Sequence, residues 1–401
     1  TAVLRVLADI LLAVDAGDLA LLMLLDLSAA FDTVDHDTLL RRLRVSYGLG
    51  GGVHRWFQSY LSDRTQFVRS GLLTSALRAV LFGVPQGSVL GPILFILYTA
   101  DLLRLIQEHG LHPHLYADDT QISGSCRSNS TVQLQTRVSA CVGDVAAWMR
   151  SNRLQLNSAK TETLWCASAR RQHQIPDTPF IVSSDTVTPV RSVRDLGIYI
   201  DSDLSMRTHV VRTAAGCFAV LRQLRSIRRC VSRQVLQSLV VSLVLTRLDY
   251  GCATLAGAPA CLLDKLQSVM NAAARLICSA RKYDHVTPLL RELHWLRVPE
   301  RITFRLAVYA YRCQHGLAPS YLADDIRRVA DVESRRRLRS ASTAQLLVPP
   351  TEHSTIGDRA FPVAAAHAWN SLTSHVTSSL SLPVFRSRLK AELFARSFGA
   401  V

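Results

Sequence analysis

The sequence predicts an α+β layer followed by a mostly helical region. Three observations carry that prediction. Up to about residue 203, short apolar runs of strand length alternate with segments of helical period. Beyond Asp203 the apolar residues fall almost entirely at helical spacing. Two of the short runs end in aspartates, Leu24-Leu25-Asp26 and Leu115-Tyr116-Ala117-Asp118-Asp119, although they lie far apart in the chain.

In chain order, Ala2 to Ala20 has helical spacing at Leu4, Leu7, Ile10, Leu11 and Val14. Asp15-Ala16-Gly17-Asp18 breaks it, and Leu19 to Leu25 reads as a buried strand. Phe31 to Leu43 reads as a helix, with Asp37 near its start and Arg41, Arg42 and Arg44 near its end to suit the dipole. Gly48 to Gly52 is a loop, Val53 to Leu61 is helical, and Gln66 to Arg69 starts a strand. Gly91-Pro92 opens an apolar helix, Ile93 to Leu105, with proline in the first turn. His114 to Ala117 and Thr120 to Ser123 are two strands of a hairpin joined through Asp118-Asp119. Thr131 to Ser151 is an amphipathic helix.

In the second region Ala214, Phe218, Leu221 and Leu224 form one helix face, beside a basic stripe of Arg222, Arg225, Arg228 and Arg229. Apolar faces follow at Val235 to Val244, Leu262 to Ile277, and from Ile302 to Tyr309, the last ending near Gly316 and Pro319. An arginine-rich segment spans Ile326 to Arg339 and leads into a Ser/Thr-rich stretch. A compact C-terminal piece carries Phe361, Trp369, Leu372, Phe385, Leu389 and Phe394.

Composition narrows the class. With 401 residues and 48% hydrophobic content the chain can bury more than one core, and 19% charged residues argue against bulk disorder. The net charge of +15 favours a polyanionic partner, nucleic acid ahead of acidic membrane. Arginine greatly outnumbers lysine, which suits phosphate and base recognition by a planar fork. The nine cysteines are scattered without a Cys-x-x-Cys pair, so a zinc ribbon has no support and a reducing compartment fits best. The expected setting is intracellular, nucleus or cytoplasm. Charged residues between Ala2 and Ala20 argue against a signal peptide, and Val235 to Leu245 is too short to span a bilayer.

Carboxylates delivered by two distant segments suit a pair of divalent metals at a phosphoryl-transfer centre. Asp26 directly follows its apolar run, whereas Asp32 and Asp35 fit a helix start. Adjacent aspartates in a regular strand face opposite ways, so Asp118 and Asp119 need a turn to approach the same ions. Alone, an Asp-Asp pair after an apolar run is more commonly an ordinary acidic turn. The set of motifs decides otherwise. Leu25 to Leu40, Gly83 to Pro92, Tyr116 to Asp119, Asn157 to Glu162 and Leu196 to Asp201 resemble, in order, motifs A to E of reverse transcriptases. Their wording resembles the non-LTR retrotransposons of the LINE type, as do the downstream segments Asp249-Tyr250-Gly251 and Gly357-Asp358-Arg359-Ala360-Phe361.

The resemblance implies a right-hand polymerase palm, a ferredoxin-like sheet with helices, and partial fingers over residues 1–205. A helical thumb-like region over 206–325 and a basic linker with a small C-terminal segment over 326–401 follow. It implies an RNA-directed DNA polymerase using two Mg2+ ions, with Mn2+ as a substitute, an RNA template, a DNA primer and deoxynucleoside triphosphates. Asp26, Asp118, Asp119 and the carbonyl of Leu27 would hold the metals. Phe31 matches the steric gate under the sugar, though alone it reads as a core aromatic. Gln86 and Gly87 match the motif B turn beside nucleotide and template, where a glycine permits close approach. Lys160 matches the motif D lysine that assists pyrophosphate departure, or is a solvated surface lysine. Arg222, Arg225, Arg228 and Arg229 would grip nucleic-acid phosphates, or form a solvated face. Asp26 stands early in the chain, so the resemblance implies an N-terminally truncated reading frame whose triphosphate clasp lies upstream and whose activity is impaired. The alternative is a catalytically inactive nucleic-acid-binding relic of the same fold. A basic helical scaffold for protein partners leaves the motifs unexplained.

Overall fold

Leu19–Ser28 is a strand of ten residues whose first five are all buried. That continuous apolar pattern belongs to a strand covered on both faces, where a strand with one wet face would alternate. In the computed structural model, which describes residues 1–182, 185–331 and 344–399, it lies inside a four-stranded sheet. The order is His112–Tyr116, Asp119–Cys126, Leu19–Ser28, Gln155–Cys166. Two junctions are antiparallel, running from Leu19↔Cys126 to Leu25↔Thr120 and from His112↔Ser123 to Tyr116↔Asp119. The sheet belongs to the first of two compact units, which holds Leu19–Trp165 and Gln174–Arg191. The second holds Thr1–Asp18, Cys166–His173 and the chain from Ser192 onward.

In the first unit the helix Thr131–Ser151 buries Leu134, Val138, Val142 and Val145 as its period predicts, together with Cys141 and Met149, while Val132 of the same apolar set is exposed and Trp148 half-buried. The apolar helix expected from Ile93 starts earlier and is broken into Leu90–Thr99 and Asp101–Glu108. Thr99 Oγ1 donates back to the Phe95 carbonyl at 3.0 Å, a bond that bends helices. Among the described residues this run, rather than Val235–Leu245, is the helix long and apolar enough to cross a membrane by length and composition. Its Leu94, Phe95, Tyr98, Leu102 and Ile106 are buried within the protein.

The helix expected over Phe31 to Leu43 is two elements. A 3-10 turn covers Ala30–Asp32 and the α-helix is His36–Val45. Ala29 sits in the left-handed region at φ 49°, and Asp35 caps the later helix. The strand expected at Gln66 to Arg69 is two short ribbons, Thr65–Gln66 with Arg78–Ala79 and Arg69–Ser70 with Leu73–Thr74. Gln155–Cys166 is a strand of twelve residues that periodicity hides, because its first half is polar and exposed or half-buried.

In the second unit Arg207–Ile227 packs on Ala260–Cys278, and Val298–Gln314 packs on Phe361–Asn370 and Leu382–Phe398. Tyr311 stacks on Phe385 at 4.5 Å and Phe385 on Trp369 at 5.6 Å between ring centroids. The apolar stretch from Val235 to Val244 is a helix, Arg233–Val240, that opens into a π-turn at Val241–Leu245 before Thr246–Asp249. The first helix, Ala2–Asp15, also lies in this unit. Its last residue, Asp15, is buried and accepts bonds from the amides of Glu352 and His353 at 2.8 and 2.7 Å. Most of the expected arginine-rich segment and part of the Ser/Thr-rich stretch, residues 332–343, lie outside the described residues.

Candidate active site

The sheet register brings three of the predicted carboxylates to one end of the first unit. Leu25 pairs with Thr120, so Asp26 follows at the level where Asp119 begins its strand. Asp119 pairs with Tyr116 across a two-residue turn, Ala117-Asp118, with Ala117 held at φ 55°. Asp118 therefore stands in the turn itself and Asp119 at the strand's first position. Burial raises the Asp119 pKa, and the charges of Asp118 and Asp26 raise it further. Three acidic side chains thus lie near enough for the charges of two to act on the third, where solvent is partly excluded.

Lys160 reaches the same place from Gln155–Cys166, the strand beside Leu19–Ser28. Its Nζ lies 3.3 Å from Asp26 Oδ2, while the lysine side chain keeps 67% of its surface exposed. Asp26 Oδ2 is buried and makes no hydrogen bond. The ammonium is therefore the positive charge that offsets this carboxylate, and an exposed lysine can leave. Among the described residues no group of three or more His, Cys, Asp or Glu side chains stands in ligating geometry. The donor chemistry still suits a hard divalent cation: carboxylate oxygens, one of them buried without a hydrogen-bond partner. Leu27, the next residue on the strand, is buried.

The predicted gate and motif B residues lie in the same unit. Phe31 is half-buried and its ring packs 4.9 Å from Phe95. The segment around it is laced to Gly83-Val84: Gly83 N donates to Val34 O at 2.7 Å and Val84 N to Phe31 O at 2.8 Å. His36 Nε2 meets the Gly83 carbonyl at 2.7 Å. A Cβ on Gly83 would lie 2.8 Å from Asp32 Cα and from Phe31 O, and φ there is +90°. Gln86 Nε2 donates to both Asp32 carboxylate oxygens at 3.1 and 3.2 Å. Gly87 faces open space rather than other parts of the protein. A Cβ there would meet nothing within 4 Å, so its requirement is the φ of +77°. Close approach belongs to Gly83 and to Gly91, whose Cβ would sit 2.7 Å from Pro85 O.

The expected helix-start role of Asp35 is met. It is buried, accepts a bond from Thr38 N at 2.8 Å, and pairs with Arg153 at 2.7 Å.

The remaining motifs lie in the second unit. Ser192–Asp195 and Ile198–Asp201 form the motif E hairpin, turned by Leu196 at φ 44° and Gly197 at φ 86°. Tyr250 of Asp249-Tyr250-Gly251 donates its hydroxyl to Leu196 O at 2.5 Å, and Asp249 is held by Arg301 at 2.6 and 2.8 Å. Arg359 is buried, with its Nη2 donating to Leu204 O at 2.6 Å and its Nε to Ala256 O at 3.3 Å. Burial lowers its pKa. These downstream motifs hold backbone together. Of the basic stripe, Arg222 and Arg225 lie on the helix Arg207–Ile227, while Arg228 and Arg229 lie in the 3-10 turn after it. Arg222, Arg225 and Arg228 line a cleft whose lining does not include Arg229.

Sequence reasoning gave no role to His36 and Arg153, and placed Gly83 in motif B without its packing role; all three fix the segment after Asp26. Their signal was weak: a histidine and an arginine at loop-helix junctions, and a glycine before Val-Pro.

Residues 8–200 match the reverse transcriptase (RNA-dependent DNA polymerase) family. The chain is 28% identical over 356 residues to the probable RNA-directed DNA polymerase from transposon BS of Drosophila melanogaster, covering 86% of this chain and 38% of that one. It is 27% identical over 194 residues to the RNA-directed DNA polymerase from mobile element jockey of Drosophila funebris, covering 46% of this chain and 20% of that one. The chain thus spans well under half the length of these relatives. Among solved structures, apo telomerase from Candida tropicalis overlaps at a TM-score of 0.38 and 11% identity, covering 72% of this chain and 45% of that one. Residues 8–200, which carry motifs A to D and most of motif E in order, match the reverse transcriptase family, and the chain is similar there to the polymerases of LINE-type, non-LTR mobile elements.

Proposed function

We propose that the chain is the polymerase portion of an RNA-directed DNA polymerase, extending a DNA primer on an RNA template. The single observation that carries this reading is the grouping of Asp26, Asp118 and Asp119 at one end of the sheet, with the Asp119 pKa raised by burial and by its acidic neighbours. Asp26, the Leu27 carbonyl, Asp118 and Asp119 are the groups that would hold two magnesium ions, with manganese as a substitute. When bound, the ions activate the primer 3′-oxygen and stabilise the leaving pyrophosphate. The protein's own part is orientation and charge. Phe31, braced on Phe95, would exclude a 2′-hydroxyl under the sugar. The turn at Gln86-Gly87, tied to Asp32, would bear on nucleotide and template. Lys160 neutralises Asp26 at rest. Its ammonium, largely exposed, would be the group that donates a proton to the departing pyrophosphate.

Residues 1–205 would serve as palm and partial fingers, 206–325 as a thumb-like region and 326–401 as a basic accessory segment, working on nucleic acid inside the cell. The Asp26–Lys160 pair also suits the second reading, a nucleic-acid-binding relic in which lysine permanently replaces the cation. Primer extension on an RNA template separates the two. Incorporation dependent on magnesium and abolished by Asp118→Asn supports the polymerase. Template binding without incorporation, in this chain and in a version extended upstream with a fingers segment, supports the relic.

A further inference from the structure

The helices Arg207–Ile227 and Ala260–Cys278 pack together within the second unit, and beside their C-terminal ends they enclose a cleft of about 490 Å³. Its volume lies within the roughly 300–1,000 Å³ of pockets that hold small organic ligands. Five cations line it: Arg222, Arg225 and Arg228 from one side, Arg275 and Lys282 from the other. No carboxylate lines it, and among the described residues none of the five makes an ion pair. A cation near a helix C-terminus complements the dipole, and one per helix would serve that purpose. Five on one cleft place far more charge than two helix ends call for.

The floor of the cleft is apolar and includes an aromatic ring, with Phe218, Leu221 and Leu276. Nε of Arg275 is buried without a hydrogen-bond partner. At the rim the ammonium of Lys282 lies 5.6 Å from the ring centroid of Tyr283, whose side chain is 88% exposed. An exposed aromatic among basic residues is the arrangement that stacks an unpaired base while cations take its phosphates.

A duplex presents phosphates on a convex rod and keeps its bases inside, so it would use the rim and leave the floor empty. An unpaired nucleotide uses both. We propose that this cleft is a docking site for one unstacked nucleotide of single-stranded RNA, its base against Phe218 and its flanking phosphates on Arg222, Arg225, Arg228, Arg275 and Lys282. The proposal deepens the polymerase reading and rests on its nucleic-acid partner, but not on turnover.

The test reads binding alone, in the Asp118→Asn background without divalent metal. Probes are a short single-stranded oligoribonucleotide, the same strand with one abasic site, and the blunt RNA duplex of that sequence. The single strand is expected to bind about tenfold tighter than its duplex, and the abasic strand to lose about tenfold at saturating occupancy of one site. Arg222→Gln with Arg225→Gln, both at exposed positions, is expected to weaken single-strand binding and lower its salt slope by about 1.4, at roughly 0.7 per neutralised phosphate. Phe218→Leu keeps an apolar floor and removes stacking. It is expected to abolish the difference between intact and abasic strands while thermal unfolding confirms the fold. Equal affinity for strand and duplex overturns the proposal, as does competition by inorganic pyrophosphate with no contribution from the base. Binding with these features, when the parent chain with Asp118 intact and its upstream-extended version both fail to extend primer, would support the cleft and refute the polymerase separately.

Discussion

Two connections that follow strands of the first unit carry aspartates, and they use them in opposite ways. After Leu19–Ser28 the chain reaches Asp35, whose carboxylate is consumed by the protein. It caps the helix His36–Val45 through Thr38 N and pairs with Arg153. Burial alone would raise its pKa, but the bonds from Thr38 and the charge of Arg153 outweigh it and hold it below the usual carboxylate value. At the Ala117-Asp118 turn the balance runs the other way. Asp119 is raised by burial and by two neighbouring acids, with no hydrogen-bond donor among the described residues to offset them. An aspartate that folding satisfies is structural. A cluster whose charges folding sets against each other is held at a cost, which a bound cation would repay.

The strongest way to break that contrast is Asp118→Asn. Primer extension should fall by about a thousandfold or more, the scale of losing a charge-stabilising group of several kcal/mol in the transition state. The melting temperature should not fall, because the substitution removes repulsion and no hydrogen bond. Extension within tenfold of the parent chain, or a melting temperature lower by several degrees, would place Asp118 on the structural side with Asp35.

The next effect sharpens the frame that positions Asp26. Gly83→Ala puts a methyl 2.8 Å from backbone atoms of Phe31 and Asp32 at a φ of +90°, where nothing flexible can yield. The expected loss is about 3 kcal/mol or more in stability, from strain and overpacking together. Gly87→Ala meets open space, so only its φ of +77° matters and about 1 kcal/mol is expected. Chemical denaturation of both variants checks the ratio. Equal losses would mean that the lacing between residues 31–34 and 83–84 is loose.

A smaller effect is expected on the satisfied side. Asp35→Ala removes an N-cap and the buried partner of Arg153, and should cost about 1–2 kcal/mol. Its stabilising contribution is present above the ordinary carboxylate pKa and disappears as pH falls through the lowered one. The difference in melting temperature between Asp35→Ala and the parent chain should therefore shrink on acidification. A difference that held constant with pH would assign the effect to packing.

How much of this was legible in the sequence follows from what each feature depends on. Leu19–Leu25, Thr131–Ser151 and Leu262–Ile277 were readable because burial imposes period on apolar residues, and those segments are buried along one or two faces. The carboxylates were readable because Asp26 follows such a run and Asp118-Asp119 joins two segments of strand length. Gln155–Cys166 was hidden as a strand because its outer half carries Asn157, Ser158 and Lys160 rather than apolar residues. The split of Phe31–Leu43 depends on Ala29 adopting a left-handed conformation, which no alanine advertises. The five-cation cleft was half visible, as an arginine stripe on one helix. Arg275 and Lys282 join it only because two helices distant in sequence pack together.

The smallest effect carries the sign that completes the contrast. Asp119 has its pKa raised in the folded protein, so its favourable contribution is present below the unfolded value and is lost as pH rises through the raised one. At neutral pH its ionised form therefore opposes folding, against Asp118 and Asp26. Asp119→Asn removes that opposition and should raise the melting temperature slightly at pH 7, by no more than about 1 kcal/mol of stability at so partly solvated a site. The gain should vanish as pH is lowered below the ordinary carboxylate value, where the parent Asp119 is already neutral. Saturating magnesium should reverse it, since the parent chain then gains stability from ion binding that the asparagine variant lacks in part. Melting curves of the two chains at neutral and acid pH, with and without magnesium, read all three signs. A loss of stability in Asp119→Asn at neutral pH without metal would show that folding satisfies this carboxylate as it does Asp35, and the two turns would no longer differ in kind.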